Sequence, residues 1–276
     1  MERKINYLSI CYTLFLILLL LSGRLSGIFS EVVYFLAFLL PILLGLLLDK
    51  RTAAEDKRTT VEDKSLLTIS KADLKVTLPL IVPTVLLIML VSVVTSAIIV
   101  AITGAKNQVD VGNSIVTALI SHALVPAILE EALFRYLPMK LLLDESKRLT
   151  VITSALFFAL AHHNLFSIPY AFIAGIIFMA IDVGAKSVIP SVILHFVNNA
   201  VSVGMLVYAD NKAFTPTLMT LLCILLVISL IFIVKNKEMY LKEFKSVIKK
   251  DRNLPYTTPL VIFTLICLFI AVISLM

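Results

Sequence analysis

Glu130-Glu131-Ala132-Leu133-Phe134-Arg135 places two adjacent carboxylates and a guanidinium inside an apolar run from about Ser121 to Leu143. A run of that kind reads as a membrane helix, where charge costs several kcal/mol per group unless it is paired or faces a wet cavity. The stretch therefore bears on fold and function together. On a helix Glu131 and Arg135 lie four apart and stack on one face as a salt bridge, whereas Glu130 is turned about 100° from its neighbour. One carboxylate is neutralised and the other is free for chemistry.

The rest of the chain agrees with a membrane setting. Of 276 residues 60% are apolar and 15% charged, with a mean hydropathy of +1.03, too oily for a soluble domain of this length. Cys11, Cys223 and Cys267 sit in apolar segments without ligand-like spacing and read as inert small residues. The net charge of +6 resides in loops between spans, without an aromatic-basic module, so nucleic-acid binding is discounted.

Apolar runs predict an all-α, polytopic helical bundle of eight to nine transmembrane helices in one integral membrane domain, 1–276. The first two, 6–21 and 32–48, form a hairpin, and the first reads as an uncleaved anchor because no small-residue cleavage site follows it. A polar segment, Asp49 to Lys75, repeats Glu-Asp-Lys at 55–57 and 62–64. It reads equally as a solvated helix or a linker. Further spans fall within 76–102, at 121–143, 150–164 and 168–183, from 187 to about 208, and at 215–234 and 260–276. The motif-bearing core is about 121–208, and the spans at 6–48 and 260–276 are peripheral to it.

Basic residues alternate along this layout. With the N-terminus inside, inner segments hold 2, 7, 3, 1 and 7 lysines and arginines and outer ones 1, 1, 0 and 1, leaving Arg135 as the intramembrane one. Cytoplasmic loops carry such an excess, so the N-terminus is expected in the cytoplasm. Within Lys235 to Pro255, Tyr240, Leu241, Phe244, Val247 and Ile248 recur at helical spacing among lysines, predicting an amphipathic helix in contact with the lipid bilayer.

All four histidines fall in the predicted spans. Counted from the loop Asp144 to Leu149, Glu131 and His162 both lie about 18 Å deep, and from Ser187 His195 lies about 12 Å and Asn199 about 18 Å deep, one turn apart. Glu130 or Glu131, His162, His195 and Asn199 can therefore meet near the midplane, with access expected from the cytoplasmic face. His122 lies beyond that depth and His163 points away from His162, so both are expected to be structural. Pro126 and Pro190 are expected to kink their helices before Glu130 and His195. Asp182 is expected to pair with Lys186 at the interface.

A carboxylate beside a histidine can activate water, and a second histidine with an asparagine amide can stabilise an oxyanion, the pair of functions that amide hydrolysis needs. One carboxylate and two histidines are also a zinc set with an open position. A transporter or proton relay, or a non-catalytic immunity or scaffold protein, would hold similar residues. Against a transporter, the chain has no paired set of Gly- or Pro-interrupted helices in two corresponding halves.

Glu-Glu-x-x-x-Arg at 130–135, Phe158-x-x-x-His162 and His195-x-x-x-Asn199, in that order on three segments, resemble the three motifs of the CPBP family. That family groups the type II CAAX prenyl endopeptidases with bacterial bacteriocin-processing and self-immunity proteins. The similarity covers about 121–208, and every motif position is kept. It implies an intramembrane endopeptidase acting on a membrane-associated peptide or protein, in a multi-pass protein of a bacterial plasma membrane. Glu130 would be the general base with His162 helping to hold the water, Glu131 and Arg135 the structural pair, and His195 with Asn199 the oxyanion site. No cofactor is favoured. The alternative is zinc on Glu130, His162 and His195, although a zinc site would more usually have a third histidine or a carboxylate where Asn199 stands.

Overall fold

The computed structural model describes residues 2–55, 66–104 and 114–248, together with Thr264 and Cys267. Among them nine helices form, and no strand. They are α1 (Glu2–Ser22), α2 (Gly27–Glu55), α3 (Lys71–Thr103), α4 (Ile115–Leu142), α5 (Lys147–Ala161), α6 (Ile168–Ala185), α7 (Ile189–Val207), α8 (Phe214–Lys235) and α9 (Lys237–Ile248). All but α5 and α9 are long and apolar enough to cross a membrane, seven in all among the described residues. Of the predicted last span, 260–276, only Thr264 and Cys267 are described, both helical, and most of the Glu-Asp-Lys repeat lies outside the described residues.

Local chemistry sets several helix ends. Ser70, Ser114 and Ser146 each turn a hydroxyl oxygen back onto the amide three residues on, capping α3, α4 and α5. Gly104 closes α3 in the left-handed conformation, φ 69°.

Contacts at one end of the bundle agree with the alternation of basic loops. Lys4 Nζ lies 3.0 Å from Glu145 Oε1, the Val188 amide donates to the Leu66 carbonyl at 2.9 Å, and the Tyr240 hydroxyl donates to the Val76 carbonyl at 3.2 Å. These bonds join segments assigned by charge to the same face. In α9, Tyr240 makes this inward bond while Leu241 is exposed; the side chains of Phe244, Val247 and Ile248 lie outside the described residues.

Two close approaches fix the interior. A Cβ on Gly175 would stand 2.8 Å from the Ala155 Cα, so the backbones of α6 and α5 approach closely there. Gly45 of α2 receives the Leu137 side chain of α4 in the same way. The largest core joins α1, α2, α4, α5 and α6, with Tyr12 and Phe15 of α1 packed on Phe134. By contrast, α8 turns most of its apolar side chains outward, as a lipid-facing helix does at no hydrophobic cost.

The predicted fifth span is α5, whose 15 residues run only about 22 Å, short of the ~30 Å hydrocarbon core. It ends at Ala161, and the chain turns through 162–167 into α6 at membrane depth. Non-helical backbone at that depth is tolerated where it is buried in protein or lines a wet cavity.

Candidate active site

Two prolines shape α4 around its carboxylates. Leu119–Leu124 and Ala132–Tyr136 are π-helical, the first just ahead of Pro126 and the second just ahead of Pro138. A proline has no amide to offer the carbonyls four or five residues back, so the helix widens locally. For Pro138 those carbonyls belong to Phe134 and Leu133. Phe134 O accepts the Ser154 hydroxyl of α5 and, at 3.3 Å, Arg135 Nη1; Leu133 O accepts the Tyr12 hydroxyl of α1 at 3.3 Å. The backbone defect is thus satisfied from two neighbouring helices. The expected kink at Pro126 corresponds to the first π segment, whereas Pro138 escaped the sequence reading.

Glu131 and Arg135 are both fully buried, with Arg135 Nε 3.1 Å from Glu131 Oε2. The guanidinium also lies over the Phe158 ring, 4.3 Å from its centroid, and donates to Ser154 Oγ at 3.3 Å. Glu131 has a second partner absent from the sequence reading: its Oε1 accepts from His195 Nδ1 at 2.7 Å. With Nδ1–H held by that carboxylate, the reactive nitrogen of His195 is Nε2, which lies 3.8 Å from Glu130 Oε2. Phe158 packs edge-to-face with both His162 and His195, so the aromatic of the second motif serves as a platform for three site residues.

His162 is the residue that ends α5. Its Nδ1–H donates to the Phe158 carbonyl at 2.9 Å, which leaves Nε2 as an acceptor in the neutral ring. Asn199 Oδ1 accepts from Asn198 Nδ2 at 3.2 Å, leaving the Asn199 NH2 as the donor end. Glu130, His162, His195 and Asn199 all line one cavity of about 480 Å³. Glu130 and His162 also line a second, of about 180 Å³, on the side of α1 and α2.

Several expectations need correction. The lining of the larger cavity extends from the four site residues to His122, Tyr170, Met205 and Leu206, near the ends of α4, α6 and α7 that lie away from the basic loops. The cavity thus extends toward the face opposite the one from which access was expected. The basic half is filled by Leu66, Met139, Val151, Met179, Val183 and Val188, all buried together, whereas the early end of α5 leaves room on the other side. His122, expected to be structural, is exposed on the wall of that cavity. His163 lines neither cavity and takes a left-handed backbone, φ 48°.

Asp182 does not pair with Lys186. It is fully buried and accepts the Ser191 amide at 3.0 Å, capping the first turn of α7 one turn before His195, while Lys186 is exposed. Pro190 starts α7 rather than kinking it, since the first turn needs no amide there. Ser154 was missed as well; the polar run Thr150, Thr153 and Ser154 on an apolar helix was its signal.

The zinc alternative requires Glu130, His162 and His195 to converge. Among the described residues no three His, Cys, Asp or Glu side chains are grouped closely enough to hold a metal ion, so the set does not fit zinc as it stands.

Residues 112–201 match the family model described as type II CAAX prenyl endopeptidase Rce1-like. This stretch is Rce1-like. It spans about a third of the chain and contains all three motifs, in agreement with the CPBP resemblance. No curated protein and no solved structure matches the chain. The similarity supports, in general terms, an intramembrane CAAX-type endopeptidase, and the seven long apolar helices support a multi-pass membrane protein. Helices α1, α2, α3, α8 and α9 lie outside it.

Proposed function

We propose that this chain, acting as one membrane unit, hydrolyses a peptide bond of a membrane-associated peptide or protein through a water activated by Glu130. The observation that carries the reading is one cavity lined by Glu130, His162, His195 and Asn199, with Glu130 Oε2 3.8 Å from His195 Nε2. In this mechanism water sits between Glu130 and His162 Nε2. Glu130 takes one proton as the water oxygen bonds to the carbonyl carbon. The oxyanion that forms accepts hydrogen bonds from the Asn199 NH2 and from Nε2–H of a doubly protonated His195, whose Nδ1–H stays on Glu131. The C–N bond then breaks, and the proton on Glu130 passes to the departing amine.

No metal enters these steps. The test is cleavage of a synthetic peptide mixture by purified protein in liposomes before and after exhaustive chelation. Cleavage is expected to persist at an unchanged rate. No cleavage before chelation would remove the endopeptidase reading, and loss on chelation with recovery on adding zinc would remove the metal-free version alone.

The reading also assigns sides. If the basic loops are cytoplasmic, in a bacterial plasma membrane, the cavity is served from the opposite face, so the substrate is a translocated or outward-facing segment. Bacteriocin processing or self-immunity is a role of that kind. Met205→Cys, in a Cys223→Ser background, is expected to react with a membrane-impermeant maleimide added to intact cells, and Lys147→Cys only after permeabilisation. The reverse pattern would invert the assignment.

A further inference from the structure

The smaller cavity has no part in the chemistry above, yet it borders Glu130 and His162, which also line the larger one. Its remaining wall is apolar and largely aromatic: Phe15 and Leu19 of α1, Tyr34 and Phe38 of α2, and Phe134 of α4. These rings brace one another. Phe15 packs edge-on against Phe38 at 5.0 Å and Phe134 at 5.5 Å, and Tyr34 packs edge-on against Phe38 at 5.3 Å. Such interlocked rings hold a recess open without a ligand, as small-molecule sites generally are.

We infer that this recess is a specificity subsite that seats one compact apolar side chain of the substrate residue supplying the scissile carbonyl. The inference rests on the endopeptidase reading. A water held between Glu130 and His162 attacks a carbonyl carbon about 3–3.5 Å away. The Cα of the residue bearing that carbonyl is one bond from the attacked carbon, so its side chain leaves the larger cavity beside Glu130 and His162, where the smaller one begins. The volume sets the size of the occupant. A cavity of about 150 Å³ lined by Leu, Ile and Phe takes one benzene, so 180 Å³ suits a leucine, methionine or phenylalanine side chain. Because α1 and α2 lie outside the Rce1-like stretch, selectivity would come from a part of the chain separate from the proposed chemistry.

The experiment uses full-length protein in liposomes and a mixture of synthetic 14-residue peptides, with products read by mass spectrometry. Wild type is expected to cleave after Leu, Met or Phe roughly 10–100-fold faster than after Ala or Gly, the discrimination an apolar pocket achieves. Leu19→Trp, which fills the recess, is expected to lower that preference at least about tenfold while cleavage after Ala and Gly continues. Phe38→Ala, which enlarges it, is expected to admit Trp. The two variants shift selectivity in opposite directions, which a general loss of folding does not do. A flat wild-type profile, or one unchanged in both variants, overturns the subsite. If wild type cleaves nothing, the endopeptidase reading has failed, and fluorobenzene binding followed by fluorine NMR judges the recess alone. Binding to wild type that is lost in Leu19→Trp supports an apolar pocket of this size; equal signals from the two overturn it.

Discussion

Glu130→Gln is expected to lower the cleavage rate of the purified protein by about 10²–10⁴-fold, the usual contribution of a general base. An amide cannot take the proton that water must lose, and the neutral imidazole of His162, which holds the same water, is left as the only nearby acceptor. His162→Ala should fall in the same range, because the water loses the acceptor Nε2 that the bond from Nδ1 to Phe158 O leaves available. Neither change should disturb the fold. Glu130 keeps 21% of its side chain accessible and lies outside the Glu131–Arg135 pair, so melting temperatures should match wild type. In cells, peptides cleaved by wild type should accumulate uncut with Glu130→Gln. Retention of more than a few per cent of the wild-type rate by a folded Glu130→Gln would take Glu130 out of the mechanism.

Glu131→Ala and Arg135→Ala are expected to act on stability, by about 3–5 kcal/mol each, because either change leaves the other charge buried and unpaired. Thermal unfolding in detergent would read the loss. The arrangement around the pair separates its two jobs. Arg135 is held by Glu131, Ser154, the Phe134 carbonyl and the Phe158 ring, whereas Glu131 alone accepts from His195 Nδ1. An apolar replacement of both partners, Glu131→Leu with Arg135→Met, should therefore regain much of the stability, as buried ion pairs replaced by matched apolar side chains often do. It should not regain cleavage, since His195 has lost the carboxylate that orients its ring and stabilises its doubly protonated form. Wild-type melting temperatures in both single variants would argue against a structural pair.

Much of this protein was legible before any coordinates. An apolar run long enough to span lipid is helical because its backbone must satisfy itself there, and Glu131 and Arg135 pair because they lie one turn apart. Counts from the loops on one face brought His162 and Asn199 to the depth of Glu131, with His195 one turn away, and the structure sets Glu130, His162, His195 and Asn199 on one cavity. These properties depend on short-range periodicity and on the cost of charge in lipid, both written in neighbouring residues.

Only the tertiary structure decided the remainder. Periodicity can show that Glu131 faces inward, but not that its second oxygen takes His195, 64 residues away; that depends on how α7 packs on α4. Nor could it show that Tyr12, 121 residues before Leu133, would take a carbonyl left by Pro138. Asp182 looked like an interfacial partner of Lys186 because the two are four apart, yet the turn into α7 offers a buried amide that a carboxylate can accept and a solvated lysine has no need of. The side toward which the cavity extends was hidden for a similar reason. It follows from α5 ending at Ala161 while its neighbours continue and from six apolar side chains closing the other half, a matter of packed volume that no single helix contains.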